Sequence, residues 1–93
     1  SNKTFIDLKN IEKLELFSNN LENLELDCFF NLNGLPKLDL SNNLLSKLKP
    51  GQFNYLNKVT DLNLEMNNIE IIVENTFVGL IELIKLNLSR NII

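Results

Sequence analysis

The chain has 93 residues, a formal net charge of −3 and 44% hydrophobic residues, as expected for one folded domain or for part of a larger one. It has no basic stripe to neutralise phosphates, no apolar run of the roughly 18 residues that a membrane span needs, and no basic-then-apolar opening segment. With no His and one Cys, it also lacks the commonest general base and a zinc-type ligand cluster. We therefore expect no metal, no cofactor, no nucleic-acid partner and no membrane insertion by this segment.

One pattern of leucine-like residues and asparagine, L-x-x-L-x-L-x-x-N-x-L, recurs along the chain. Its copies begin at Ile11, Leu35, Val59 and Leu83, so each copy starts 24 residues after the one before. Such self-similarity is the signature of a repeat architecture. In chain order, residues 1–10 are predicted to end one repeat, residues 11–34, 35–58 and 59–82 to form complete repeats, and residues 83–93 to begin another, all within one domain.

The second half of each repeat has its own fixed places. A phenylalanine column is formed by Phe5, Phe29, Phe53 and Phe77, and a leucine follows each of them by three residues. The whole pattern resembles the 24-residue typical form of the leucine-rich repeat. Segments such as LKPGQFNYLNKVTDLNLEMNNI and IELIKLNLSRNII resemble the ectodomain of a Toll-like receptor or of a related insect or metazoan extracellular protein with these repeats.

The predicted fold is a repeat solenoid of the α/β type. Apolar and polar residues alternate around Leu38 and Leu40, which is the pattern of a half-buried strand, whereas the remainder of each repeat has no long helical period. One repeat cannot bury its own apolar face, so repeats stack and their strands pair in parallel. We expect a right-handed horseshoe with short parallel strands on its concave side and irregular or 3-10 structure on its convex side.

An asparagine closes the strand segment of every repeat. In the turn that follows, backbone N–H and C=O groups have no partner in the strand ladder. Each such group that is buried without a hydrogen bond destabilises the fold by about 1–3 kcal/mol. A primary amide supplies both donors and an acceptor, so one Asn bonds its own turn and the neighbouring one. We predict a ladder of Asn19, Asn43, Asn67 and Asn91. The adjacent Asn20 and Asn68 are expected to be exposed.

The phenylalanine column predicts a second stack. Phe5, Phe29, Phe53 and Phe77 should form a spine under the convex side, with ring contacts of about 0.5–1.5 kcal/mol per pair. Cys28 precedes this column at the place that Gln52 and Thr76 hold in later repeats. We interpret it as a small, partly buried thiol, with pairing to a partner or a further segment as the alternative.

The chain begins within a repeat and ends shortly after Asn91. A solenoid needs capping units that cover its apolar ends, and extracellular members of this family usually have Cys-rich caps. Neither end has one, so we expect a fragment of a longer protein.

The resemblance places binding on the concave side, where the residues between the leucines point outward. Phe17 and Met66 are apolar at places where a solvent-facing surface does not require it, which is typical of interface anchors, although isolated exposed apolar residues are common. The charges of this side are either partner contacts or a solvated ladder of cross-strand pairs. The predicted partner-binding residues are Glu15, Phe17, Lys37, Asp39, Asp61, Asn63, Glu65, Met66 and Lys85.

Two N-glycosylation sequons are present, at Asn2 and Asn87. Because the chain has 17 Asn and 8 Ser or Thr, such sequons also arise by chance. No carboxylate pair lies in a predicted pocket with a His, Ser or Cys partner, so we expect no enzyme activity.

These features predict a non-catalytic protein-binding module. The resemblance implies an extracellular or cell-surface glycoprotein of innate-immune or Toll-like receptor type, binding a protein ligand or co-receptor, with homo- or heterodimer formation as a further possibility. Two alternatives stay open. One is an extracellular matrix or adhesion protein, and the other is a purely structural segment of a longer scaffold.

Overall fold

The structure is a computed structural model that describes residues 12–26, 28–30 and 32–93. Among these residues it has four three-residue strands. They are β1 (Lys13–Glu15), β2 (Lys37–Asp39), β3 (Asp61–Asn63) and β4 (Lys85–Asn87). The strands form one parallel sheet in the order β1-β2-β3-β4. The predicted solenoid of stacked repeats with short parallel strands is confirmed.

The register of the sheet equals the sequence period. Leu14 pairs with Leu38, Leu38 with Leu62, and Leu62 with Leu86, each 24 residues apart. Backbone bonds continue the ladder just beyond the strands, where the amides of Leu16, Leu40 and Leu64 each donate to the next repeat at 2.8 Å. A one-residue slip would turn the leucines away from the core, so their alternation fixes this register.

The core is a continuous leucine-rich column behind the sheet. In the middle repeats Leu40, Leu45, Leu64 and Ile69 are all completely buried. Leu86, in the edge strand β4, is 37% exposed. Burial of the shared apolar face between repeats is therefore the main stabilising contribution, as expected for a solenoid.

The convex side consists of turns. In each repeat an i→i+3 bond joins the phenylalanine carbonyl to a leucine amide, at 3.0 Å from Leu32 to Phe29, from Leu56 to Phe53 and from Leu80 to Phe77. A second such turn follows, with Val59 donating to Leu56 at 3.2 Å. The described residues contain no helix, α or 3-10. Of the two structures predicted for the convex side, the irregular one is found: it consists of separate turns and not of 3-10 helix.

Asparagine side chains link each repeat to the one before it. The Asn43 Oδ1 accepts the amides of Asn19 at 2.8 Å and Leu21 at 3.0 Å, and its Nδ2 donates to Leu16 and Leu40, both at 3.0 Å. Asn67 and Asn91 repeat most of this arrangement one and two units later. Each donates from Nδ2 to two leucine carbonyls and accepts one backbone amide, from Leu45 and Ile69 respectively. Asn20 and Asn68 are exposed.

The phenylalanines stack on the other side of the core. The rings of Phe53 and Phe77 are 5.8 Å apart and nearly parallel, and those of Phe29 and Phe53 are 6.3 Å apart. Phe5 lies outside the described residues. A second aromatic contact was not predicted: Phe30 meets Tyr55 edge-on at 5.5 Å on the convex side.

Two further repeat-to-repeat contacts were also missed by the sequence reasoning. Gln52, 1% exposed, donates from Nε2 to the Leu24 carbonyl at 3.1 Å, and its place in the repeat gave no sign of this role. Gly79 lies against the backbone of Asn54, so that a Cβ there would come within 2.5 Å of the Asn54 Cα. Among the described residues, no buried side-chain nitrogen or oxygen lacks a hydrogen-bond partner.

Candidate binding face

The outward side chains of the four strands form two columns that cross the sheet. The central leucine of each strand faces the core, so the residues on either side of it face outward. The first column contains Lys13, Lys37, Asp61 and Lys85. The second column contains Glu15, Asp39, Asn63 and Asn87. We call these columns, with the exposed residues that follow each strand, the concave face.

Three members of the second column have a local structural role. Asp39, Asn63 and Asn87 each accept, at Oδ1, a hydrogen bond from the backbone amide two residues later, and all three distances are 3.0 Å. This bond satisfies an amide that has just left the strand. Asp39 and Asn63 were predicted only as partner-binding residues. The recurrence of Asp or Asn at this place in three repeats was the available sign of a second role.

Glu15 and Glu65 are also engaged within the chain. Glu15 lies 3.1 Å from the Lys13 ammonium, and both side chains are about half exposed. Glu65 accepts from the Asn87 Nδ2 at 3.3 Å and lies 3.7 Å from the Arg90 Nε. Such exposed pairs contribute little to stability, about 0–1 kcal/mol each. Both carboxylates remain at least partly exposed.

The first column differs beyond Lys13, because its three other charges do not pair. Within the described part of the chain, Lys37, Asp61 and Lys85 are adjacent across the sheet, yet none of them has an oppositely charged group within 4 Å or a side-chain hydrogen bond. Lys37 and Lys85 are exposed and Asp61 is half-buried. These three side chains therefore form no ion pair or hydrogen bond among the described residues.

Apolar side chains border these columns. Phe17 is 48% exposed, Met66 41% and Ile84 78%. Met66 also has a positive φ of 58°, as do the equivalent residues of the other repeats, Ser18, Asn42 and Arg90, at 54–58°. The turn after each strand requires this left-handed conformation, which Asn adopts readily and Met does not. Met66 therefore adopts a backbone conformation that is unfavourable for its residue type. Its position in the sequence did not reveal this strain.

The middle of the concave face is a depression with a cavity volume of about 530 Å³. The first column and three members of the second, Asp39, Asn63 and Asn87, line it together with Ile84. It brings together five of the nine predicted partner-binding residues, namely Lys37, Asp39, Asp61, Asn63 and Lys85. Glu15, Phe17, Glu65 and Met66 lie outside its lining, toward β1 and along the ends of the strands.

A second depression lies away from the sheet and was not predicted. Its volume is about 490 Å³, and its lining is mostly apolar, including Ile71, Val73 and Ile92. An isolated parallel bridge joins Lys47 to Ile71 at this flank. The apolar Ile and Val residues at these positions were the only indication of this depression in the sequence, and they follow no repeating pattern.

Of the two sequons, one lies within the described residues. Asn87 is exposed on β4, its Nδ2 donates to Glu65, and the Ser89 hydroxyl donates to its Oδ1 at 2.7 Å. The amide therefore reaches the surface of the concave face. Asn2 lies outside the described residues.

Other chemical features of the sequence have plain structural positions. Cys28 is 4% exposed and packs in the core cluster. Residues 12–26, 28–30 and 32–93 include no group of three His, Cys, Asp or Glu side chains that could hold a metal ion. Over the same ranges, no helix is long and apolar enough to cross a membrane.

Comparison with known proteins agrees with the geometry. The family described as leucine rich repeat matches residues 33–93. The crystal structure of the TLR13–ssRNA13 complex matches over 90% of this chain, at 31% identity and a TM-score of 0.87. This chain spans 12% of the TLR13 chain in that structure. No curated protein sequence matches.

Proposed function

The chain belongs to the leucine-rich repeat family, and on this premise we propose that its concave face binds a protein partner non-covalently. The observation that carries the proposal is the continuous face of four strands, on which Phe17, Met66 and Ile84 are exposed among accessible charges. Exposed aromatic residues and Met are typical anchors of protein interfaces. The residues proposed to contact the partner are Glu15, Phe17, Lys37, Asp39, Asp61, Asn63, Glu65, Met66 and Lys85.

The backbone behind this face supports such a role. The asparagine ladder, the parallel sheet and the stacked phenylalanines hold each repeat against the next, so the surface does not have to become ordered on binding. A preformed surface avoids part of the entropy cost of association.

Single-stranded nucleic acid is the second candidate, because the matched structure is of TLR13 with ssRNA13. Nucleic-acid affinity depends on excess positive charge that releases counterions from phosphates. On the concave face Lys13, Lys37, Lys85 and Arg90 are balanced by Glu15, Asp39, Asp61 and Glu65. With no net positive charge on this face, a protein partner is favoured.

The similarity to a Toll-like receptor ectodomain also supports an extracellular or cell-surface location, with the endosomal lumen as its equivalent inside the cell. An innate-immune receptor is the context we propose. A matrix or adhesion protein would use the same face, and the sequences flanking the repeats distinguish the two. A membrane span with a signalling domain indicates the receptor, and a secreted core indicates the matrix protein.

Site-specific photocrosslinking tests the proposal. A photoreactive phenylalanine analogue is placed at Phe17 or Met66 on the concave face, and in matched controls at Tyr55 or Val78 on the convex side, which are similarly exposed. The protein is expressed in its native cells, irradiated and analysed by mass spectrometry. We expect one protein to be crosslinked from both concave positions and from neither control.

Three results would contradict the proposal. Crosslinks from all four positions to the same protein would indicate non-specific contact. Crosslinks only to the chain's own neighbouring repeats would favour the structural segment. RNA recovered from the concave positions would favour the nucleic-acid candidate.

A further inference from the structure

We propose that three adjacent members of the first column of the concave face recognise an α-helical segment of a partner, lying across the strands and presenting an acid, a base and an acid one turn apart. The proposal rests on the protein-binding role of this face and specifies the chemistry of its partner. Lys37, Asp61 and Lys85 carry it, and we call them the charge triad.

The charge triad is distinguished by its lack of internal partners. Elsewhere among the described residues, exposed opposite charges that lie close together do pair, as in Lys13–Glu15 at 3.1 Å and Lys58–Glu82 at 3.2 Å. The triad has alternating signs on three adjacent strands, and still no pair forms within 4 Å. Its side chains line the 530 Å³ depression, where a partner's charged groups can reach all three.

The spacing of the triad selects the kind of segment. Adjacent strands are about 4.8 Å apart, so Lys37 and Lys85 are separated by about 9.6 Å, with Asp61 midway. Along a helix, one face repeats at three or four residues, a rise of about 4.5–6 Å, and positions i and i+7 are about 10.5 Å apart. In an extended strand, consecutive side chains on one face are about 6.6 Å apart, so three of them span about 13 Å, which is longer than the triad. The helix fits the triad and the strand does not.

The width of the face also accommodates a helix. Each strand has three residues and is thus about 10 Å long, close to the helix diameter of about 10–12 Å. Ile84, 78% exposed beside Lys85, provides an apolar contact for the side of the helix. Complementary charges in such an arrangement fix orientation and register more than they add affinity.

Designed peptides test this inference with the protein as expressed in full. Three helical, alanine-based peptides are compared by fluorescence anisotropy: one with Glu, Lys and Glu at i, i+4 and i+7, one with Lys, Glu and Lys at these places, and one with Gln at all three. We expect the first to bind roughly tenfold tighter than the second, from three exposed ion pairs, and to weaken as salt rises.

A charge-reversed protein provides the reciprocal measurement. The triple variant K37E/D61K/K85E should prefer the second peptide by a similar factor. The matched control K58E/E82K exchanges the charges of a pair outside the depression and should keep the wild-type preference. Circular dichroism checks that both variants remain folded, as expected because Lys37, Lys85, Lys58 and Glu82 are exposed and Asp61 is only partly buried.

Equal affinity for the first two peptides would overturn the inference, and so would tighter binding of an extended peptide with the same charges. Displacement of the first peptide by single-stranded RNA at equal concentration would overturn it in favour of a polyanion site. If the photocrosslinking identifies a protein and the peptides do not discriminate, only the helical-segment inference fails. If the photocrosslinking also fails, the protein-binding role of the face fails with it.

Discussion

The side-chain oxygen of Asn43 accepts a hydrogen bond from the backbone amide of Asn19, one repeat earlier, at 2.8 Å. The side-chain nitrogen of Asn43 donates to a carbonyl of its own repeat and to one of the previous repeat. A single side chain thus closes one turn and joins two repeats. Replacing an asparagine of this kind should therefore destabilise the protein more than replacing an exposed asparagine nearby.

Asn67→Asp is expected to destabilise the protein by about 3 kcal/mol or more. The Asn67 Nδ2 donates to Leu40 at 3.1 Å and Leu64 at 3.0 Å, and a carboxylate in its place would face both carbonyls without a proton. Chemical denaturation measures the change. The control Asn68→Asp adds the same charge on an exposed neighbour and should change stability by less than about 0.5 kcal/mol.

The Asn67→Asp variant should also become more stable at low pH. Burial beside carbonyl oxygens raises the pKa of the introduced carboxyl above the unfolded value of about 3.9. Protons then bind the folded state more tightly, so stability rises as the pH falls from neutral through that raised pKa toward the unfolded value. Denaturation at a series of pH values tests this, and a pH-independent difference from wild type would contradict it.

Phe53→Ala should cost about 3–5 kcal/mol, because Phe53 is completely buried between two other rings. Phe17→Ala removes the same atoms from a side chain that is 48% exposed and should cost less than about 0.5 kcal/mol. Only Phe17 lies on the concave face, so only Phe17→Ala should weaken partner binding directly. A loss of partner crosslinking without a loss of stability is the expected signature of Phe17→Ala.

Gly79→Ala should destabilise by about 1–3 kcal/mol, because its Cβ would meet the Asn54 backbone at 2.5 Å and neither main chain can give way without separating the repeats. Gly34→Ala is the matched control. A Cβ at Gly34 meets nothing within 4 Å, so this change should be neutral or stabilising by up to about 1 kcal/mol. Equal effects of the two substitutions would show that close packing at Gly79 is unimportant.

Met66→Asn should stabilise the protein by about 0.5–1 kcal/mol, because Asn tolerates the left-handed backbone at φ 58° better than Met does. Met66→Leu keeps the strain and should show no gain. If Met66 is retained for binding, crosslinking from position 17 to the partner should weaken in Met66→Asn even though the fold is more stable. Stability and binding are compared in the same preparations.

Asn87 is expected to carry an N-linked glycan when the protein passes through a secretory pathway. Intact mass before and after glycosidase treatment measures this, and Ser89→Ala, which removes the sequon and keeps Asn87, should abolish the difference in mass at this site. A glycan at Asn87 would rise from β4 beside Lys85 and limit access to that end of the depression. An unmodified Asn87 in secreted protein would contradict the prediction.

The repeat period, the strand positions and the side of the sheet that each residue faces were predictable from the sequence. The reason is that the leucines recur at 24 residues and alternate only around the strand, so one register buries them all. The asparagine at the strand end was also readable, because few other side chains offer donors and an acceptor on so short an arm.

Several contacts were beyond the reach of the sequence. Gln52 bonds to Leu24 and Gly79 lies against Asn54 only because the turns of adjacent repeats come together in space, and no local pattern encodes that distance. The positive φ at Met66 was equally hidden, since the sequence shows a Met at a free place and not the backbone conformation that the turn imposes.

The sequence by itself determined that this protein stacks 24-residue units and presents a strand face, because its leucines are buried together only when units with the same apolar framework lie against one another. The tertiary structure alone decided which charges on that face are already satisfied. Glu15 and Glu65 pair within the chain, Asp39 and Asn63 close their own strands, and Lys37, Asp61 and Lys85 remain unpaired. Pairing depends on side-chain geometry at the scale of a few ångströms, which the order of residues does not specify.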